Sequence, residues 1–414
     1  MALQNSEEII FKMLNGLKTI VYIGDFDFEN KNVQSHLVKN NAFIFNRLGF
    51  RVLFIGINRD INDKSHLKRI ELNNNNVYVE LPNTLNLKGL FLWKTVYKTI
   101  EIELENEKNN ASLEYVISYQ CPTYSFAIKK IGLWCKRNNI KYIVNCADIP
   151  VFYSQPLFKK IVMELNWKFL HKYNKKYSDD FIVVSNYIKN FYSKKNANYL
   201  VLPPLFDFTN FQTIKMKQNE CTTFVYAGTP FINSKRKIMN KGMKDRLDLI
   251  VDLFINLKSC NCIFQIVGIS KNDYLNAVPR HKNILNNFKN IVFLNRVNHK
   301  EALNIIASSD FSINYRDENK MNLAGFSTKV VESISVGTPV ILNQIGEYSF
   351  YLEKGISLFE LSPIFNNNIN LLQQICMLSS SSRLALKRAT FEKKTFDINK
   401  YVKAVDDFFN GDVQ

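Results

Sequence analysis

The sequence predicts an α/β protein made of two doubly wound parallel sheets in series. Three observations carry this expectation. Short β-branched or aromatic runs alternate with longer amphipathic stretches, the pattern of a sheet covered by helices on both faces. The alternation breaks at Pro203-Pro204 and then starts again. The length, 414 residues, exceeds what one hydrophobic core organises, so two domains are expected.

The first strand is Thr19–Gly24 (TIVYIG). Helical spacing follows over residues 34–48, and Gly49 closes it. Residues 51–56 (RVLFIG), Val77–Leu81 and residues 115–119 are the next strands. A helix over 124–137 and strands over 142–145 and 181–185 (FIVVS) complete the first series. Residues 205–219 are polar and irregular and read as a linker. The second series runs through a strand at 223–227 (TFVYA), a helix at 246–257 and strands at 263–268 (IFQIVG) and 291–294. A helix at 299–307 and strands at 311–315 and 340–343 finish it. An amphipathic segment at 398–409 is expected to return to the first domain. The expected domains are therefore 1–208, joined by a C-terminal helix at 396–414, and 209–395. Residues 73–76 and 379–382 are small polar runs and read as loops. Both domains are Rossmann-like in this reading and face a cleft, since doubly wound sheets bind ligands at the carboxyl ends of their strands.

Composition narrows the function classes. Hydrophobic residues make up 46%, ordinary for a soluble globular protein, and no run approaches the roughly 18 apolar residues of a membrane span. Residues 1–15 place Glu7 and Glu8 before a short apolar patch, the wrong order for a signal peptide, so a cytoplasmic protein is expected. The seven cysteines (Cys121, Cys135, Cys146, Cys221, Cys260, Cys262 and Cys376) are odd in number and contain no CxxC pair, which fits a reducing compartment. With five scattered histidines, no metal site is expected. The net charge of +17 favours a polyanion: nucleic acid, anionic lipid or a phosphorylated substrate. Lys, Asn and Ile are abundant together, as in AT-rich genomes, so part of this charge is simply a solvated surface.

The most informative stretch is 324–341 (AGFSTKVVESISVGTPVI), which reads as loop, short helix, turn and buried strand. A helix start presents backbone N–H groups to an anion. Glu332 lies one turn behind Lys329, so both side chains share a face. A carboxylate behind a phosphate-binding helix start suits sugar hydroxyls, which points to a nucleotide-sugar pocket.

With this stretch, the chain resembles a retaining family-4 glycosyltransferase of the GT-B fold, over nearly its whole length. The strongest match is Gly325 to Ile341, the loop, helix and Gly-Thr-Pro-Val that end the family's E-x7-E signature. Tyr226-Ala227-Gly228, Lys244-Asp245, Ile266-Val267-Gly268 and Val292 to Val297 support it in the second half. Val183-Val184-Ser185-Asn186, Leu202-Pro203-Pro204-Leu205, Asn32 and Leu48-Gly49-Phe50-Arg51-Val52 support it in the first, the last two in the manner of a polysaccharide-building subgroup.

The resemblance implies transfer of a hexosyl or N-acetylhexosaminyl group from a nucleotide diphosphate sugar, a UDP-sugar being favoured. It implies no metal or other cofactor. The expected partner is a glycan or polyprenyl-linked acceptor in bacterial surface polysaccharide assembly, at the inner face of the membrane. Glu332 matches the second Glu of the signature and is implied to bind the donor ribose; the alternative is a solvated helix carboxylate. The first Glu is replaced by Ala324, which accepts no side-chain hydrogen bond, so backbone groups of Gly325, Phe326 and Ser327, with Thr328 beside them, are the expected substitutes around the donor sugar. Lys244 matches the lysine that neutralises the diphosphate, the alternative being one surface lysine among many. Thr229-Pro230 stands where an Arg is usual, and Lys329 is the expected compensation. Arg296 and Val297 frame the base. Asp148 is the polar residue expected to face the donor sugar or an acceptor hydroxyl, as the catalytic candidate, or else a cap. Gly24 and Asn32 are candidates for the acceptor or phosphate side. The departing phosphate is implied to take the acceptor proton itself, so that no dedicated base is required.

Residues 85–100 and 158–176 mix aromatic and aliphatic residues with lysines. Such segments lie in a membrane interface, or else turn an apolar face to the core and a lysine side to water. Two further classes stand beside the enzyme: a non-catalytic nucleotide-sugar-binding partner subunit, prompted by Ala324, and a nucleic-acid binder, prompted by charge alone. The latter lacks any recognisable nucleic-acid module.

Overall fold

The TIVYIG run is apolar in the manner of a strand covered on both faces, and it becomes β1 (Thr19–Gly24), buried along its whole length. The computed structural model describes residues 18–29, 33–58, 60, 68–83, 92–110, 112–119, 125–150, 152, 156–208, 216–230, 245–257 and 260–411. The chain forms two units, Met1–Leu205 with Ile398–Gln414, and Phe206–Asp397.

In the first unit β1 is followed by α1 (Val33–Arg47), β2 (Arg51–Ile57), β3 (Arg69–Glu71), β4 (Val77–Leu81), α2 (Trp93–Asn109) and β5 (Leu113–Tyr119). Then come α3 (Ser125–Asn138), β6 (Lys141–Cys146), α4 (Leu157–Tyr177), β7 (Asp180–Val183), α5 (Asn186–Tyr192) and β8 (Tyr199–Val201). The sheet order is β3-β4-β2-β1-β5-β6-β7-β8, parallel except for the β3–β4 pair at one edge. Rings fill the space on one side of it: Phe28 stacks on Tyr78 at 4.6 Å, and Phe26, Phe45 and Phe54 surround Tyr22.

The second unit runs β9 (Thr222–Ala227), α6 (Leu247–Asn256), β10 (Cys262–Val267), α7 (Lys271–Ala277), β11 (Ile291–Phe293), α8 (His299–Ser308) and β12 (Phe311–Asn314). It continues with α9 (Lys320–Ala324), α10 (Thr328–Ser335), β13 (Val340–Asn343), β14 (Leu358–Leu361), α11 (Phe365–Cys376) and α12 (Ser380–Glu392). Its order, β11-β10-β9-β12-β13-β14, is parallel throughout. The last helix, α13 (Val402–Asn410), belongs to the first unit. Its Phe409 ring lies 4.7 Å from Tyr115 and 5.4 Å from both Phe45 and Phe50, the apolar face that the amphipathic segment 398–409 predicts.

Three expectations are corrected. Residues 379–382 are not a loop: Ser379 caps α12, its hydroxyl accepting the Ser382 N–H at 3.1 Å. Helix α12 escapes apolar periodicity because its buried face carries Arg383 and Lys387, held by the carbonyls of Leu378 and Ala307 at 2.6 Å each. Ala324 ends a short helix rather than standing in a loop, and it is wholly buried. The start of the expected linker is ordered: Phe206 is buried and its N–H donates to Phe396 O at 2.8 Å. Among the described residues no helix is long and apolar enough to cross a membrane.

Candidate functional site

In the second unit the strand order reverses between β9 and β12, and a doubly wound sheet opens a ligand crevice beyond the carboxyl ends of its strands at such a point. The chain following β9 is Gly228, and following β10 it is Gly268. Gly228 has φ +149° and Gly268 φ +106°, conformations that side chains rarely adopt. The Gly228 N–H donates to Val267 O at 2.8 Å and the Gly268 N–H to Asn295 O at 2.7 Å. A Cβ on Gly268 would lie 2.6 Å from Gly228 O, so the two strand ends approach as closely as backbone allows.

Against Gly228 lies a cluster of charge. Asp245, fully buried, accepts from Arg316 Nε at 2.8 Å and from the Tyr226 hydroxyl at 2.8 Å, and it pairs with Lys329 Nζ. Lys329 Nζ also reaches the Tyr226 hydroxyl at 3.0 Å and lies 4.7 Å from the centre of that ring. Two cations meet one carboxylate, so the cluster carries one positive charge in excess. Burial pushes the Asp245 carboxyl up, but Lys329 and Arg316, helped by the Tyr226 hydrogen bond, outweigh it and hold the carboxyl well below the usual carboxylate range. Burial, together with the Asp245 charge, drives the Tyr226 hydroxyl well above its ordinary value.

Arg316 is fixed at both ends. Its backbone N–H donates to Asn343 Oδ1 at 3.0 Å, and its carbonyl accepts from Asn343 Nδ2 at 2.7 Å. The guanidinium continues to Ser327 Oγ at 3.1 Å. The loop before α10 is thereby tied down. The Ser327 N–H goes to the Tyr348 hydroxyl at 3.1 Å, and the Gly325 N–H to Met321 O at 2.9 Å. Phe326 packs edge-on against Tyr348, Tyr351 and Phe396 at 4.9–5.6 Å. The Gly325 and Ser327 N–H groups, two of the expected substitutes for the first Glu, donate inside the protein. Thr328 opens α10 and is half-buried.

Glu332, one turn into α10, is partly exposed and accepts from His299 Nε2 at 3.1 Å. That hydrogen bond raises the His299 pKa above 6.5 against the opposing pull of burial. Glu332 and Lys329 thus share α10 but face different partners. Arg296 is exposed beyond β11, while Val297 is half-buried against the α10 side of the core. Lys244 and Asn32 lie outside the described residues.

In the first unit the reversal falls between β1 and β5. Gly24 ends β1 and is buried; a Cβ there would meet Tyr119 O at 2.7 Å and the Phe26 ring at 2.8 Å, so packing explains this glycine. Asp148 follows β6, half-buried, with its carbonyl accepting from Cys146 Sγ at 3.3 Å. Burial, then the nearby Asp148, Tyr22 and Asp25, pushes the Tyr119 hydroxyl well above its ordinary value.

Sequence reasoning missed Tyr226, Asp245, Arg316, His299 and Tyr348 as members of the second-unit cluster. Arg316-Asp317 directly after the apolar strand at 311–315 was a readable signal, because charges at the carboxyl end of a buried strand face the crevice. His299 and Tyr348 left none, since their partners lie 33 and 21 residues away. Among the described residues no group of three or more His, Cys, Asp or Glu side chains could hold a metal ion.

No protein-family model matches the chain, and no curated protein sequence does. Solved structures do match. The sucrose-phosphate synthase of Thermosynechococcus elongatus is 12% identical with a TM-score of 0.63, covering 95% of this chain and 98% of that one. A glycosyltransferase from Rickettsia africae is 14% identical with a TM-score of 0.63, covering 96% and 98%. HepE of Anabaena in complex with UDP-glucose is 11% identical with a TM-score of 0.59, covering 95% and 99%. At these identities the likeness shows the fold, and that fold is GT-B.

Proposed function

We propose that this protein is a retaining glycosyltransferase that moves a hexosyl or N-acetylhexosaminyl group from a nucleotide diphosphate sugar to a glycan or lipid-linked acceptor. The observation that supports it most is the cluster at the β9/β12 reversal. Two glycine strand ends meet there as closely as backbone allows, and a fixed, net-positive group of Arg316, Lys329 and Asp245 lies directly against Gly228. Positive charge held in place before reaction stabilises a departing diphosphate without reorganisation cost. Glu332 sits one turn deeper on α10 and holds His299; in this reading it exchanges that partner for ribose hydroxyls. UDP is the favoured nucleotide because HepE, of the same fold, holds UDP-glucose. In this reading Lys244 joins the diphosphate, Arg296 and Val297 frame the base, and Gly325, Phe326, Ser327 and Thr328 shape the sugar side. Asp148 in the first unit faces the reacting sugar or the acceptor, and Gly24 and Asn32 serve the acceptor or phosphate side. The reading requires no metal or cofactor. The setting is bacterial surface polysaccharide assembly, with the protein cytoplasmic and peripheral on the inner face of the membrane.

The test is a screen of nucleoside diphosphates and their sugars for thermal stabilisation. Ligand at ~100 times its dissociation constant stabilises by about 2.7 kcal/mol. The expected result is stabilisation by UDP and at least one UDP-sugar. No response to any nucleoside diphosphate or its sugars overturns the reading.

A further inference from the structure

Helix α4 turns the wrong face to water. Leu170 and Asn174 are its buried positions, and Asn166 Oδ1 accepts the Ser125 N–H of α3 at 2.8 Å, which marks the inward side. Leu157 and Phe158 are 74% and 70% exposed, and Ile161, Leu165 and Phe169 are exposed as well. At 100° per residue these five fall within an arc of about 120°. The same arc carries Lys168, Lys172, Lys175 and Lys176 in the last turns. Phe126, 52% exposed at the start of α3, packs next to Trp93. Along α4 there are six lysines and one acidic residue, Glu164, which Lys160 approaches at 3.8 Å. The other segment of this composition behaves differently: in the described part of residues 85–100, Val96, Tyr97 and Ile100 are buried in the core.

A contiguous apolar face on the solvent side of a helix marks an interaction surface. Its charge decides the occupant. A second copy would set six lysines against six and +17 against +17, a like-charge contact that opposes association. An anionic bilayer accepts both features, because apolar side chains enter the acyl boundary while lysines meet lipid phosphates. From this we infer that the outward face of α4 docks the protein on an anionic phospholipid surface, with Leu157, Phe158, Ile161, Leu165 and Phe169 inserted and Lys168, Lys172, Lys175 and Lys176 on the headgroups. The inference deepens the peripheral location proposed above. It is tested without donor or acceptor, so its failure and that of the transferase reading are separate results.

The full chain is sedimented with vesicles of phosphatidylcholine alone or mixed with phosphatidylglycerol. Binding is expected with the mixed vesicles, weakening as salt rises, and at least about tenfold weaker with neutral ones. The triple variant Leu157→Ser, Phe158→Ser, Ile161→Ser and the quadruple Lys→Gln variant at 168, 172, 175 and 176 should each lose roughly tenfold or more. Their melting temperatures should stay unchanged, because the altered side chains face water. A Phe158→Trp variant supplies a readout that keeps the bulk of the face: its fluorescence shifts to the blue on mixed vesicles and is quenched by brominated lipid. No binding to mixed vesicles overturns the inference. Binding that neither variant reduces overturns it, as does a dimer abolished by the triple variant in a chain that ignores vesicles.

Discussion

Lys329 and Gly228 compete for the same space: a Cβ on residue 228 would lie 2.1 Å from Lys329 Cε and 2.4 Å from its Nζ. The ammonium reaches Asp245 and Tyr226 only by crossing the face of a residue without a side chain. Gly228→Ala should therefore displace Lys329 and strain a backbone at φ +149°, costing about 1–3 kcal/mol of stability and weakening UDP binding. Chemical denaturation and nucleotide titration check this. Wild-type values for both would show that the contact carries no weight.

Asp245→Asn removes the buried carboxylate that Arg316 and Lys329 share. Removing one partner of a buried ion cluster costs about 3–5 kcal/mol, so the variant should melt well below the parent. The pH sign follows from the depressed folded pKa. The contribution of Asp245 is fully present above its unfolded value of about 3.8 and is lost as pH falls through the folded value. The acid limb of unfolding should thus flatten in the variant, measurable by urea midpoints between neutral pH and pH 3.

The His299 pKa is raised by Glu332, so its NMR titration midpoint should lie above 6.5 in the free protein. Glu332→Gln should bring it down. A raised folded pKa means that the pair stabilises fully below about pH 6.5 and that this contribution disappears as pH rises through the folded value. A midpoint unaffected by Glu332→Gln would show that the two side chains do not interact in solution.

Glu332→Ala tests the donor site directly. Hydrogen bonds to a charged acceptor are worth ~1.5–3 kcal/mol, so UDP affinity should fall by about ten- to hundredfold. His299→Ala, which removes only the resting partner, should leave that affinity equal or higher. The reverse order of effects would move the ribose contact from Glu332 to His299.

Much of the fold was legible because burial writes itself into residue order. TIVYIG, FIVVS, TFVYA and IFQIVG are runs that only a covered parallel strand explains. The short strands 69–71, 199–201 and 358–361 were not, since three or four residues at or near a sheet edge carry no period. Helix α12 was hidden for another reason. Its inward lysine and arginine are paired with carbonyl groups, and no hydrophobic count registers that arrangement.

At the candidate site the division is equally physical. The sequence by itself determined the glycine strand ends, the helix start at 324–341 and the carboxylate one turn behind Lys329, because these are local spacings along one chain. Only the tertiary structure decided what Lys329 and Glu332 touch. Asp245 comes from 84 residues earlier and His299 from 33. It also decided which basic amphipathic segment turns inward, since residues 92–100 and α4 share a composition and differ in what packs against them. Local pattern sets which groups are available, while pairing of charge and exposure of apolar surface depend on neighbours that only the folded chain supplies.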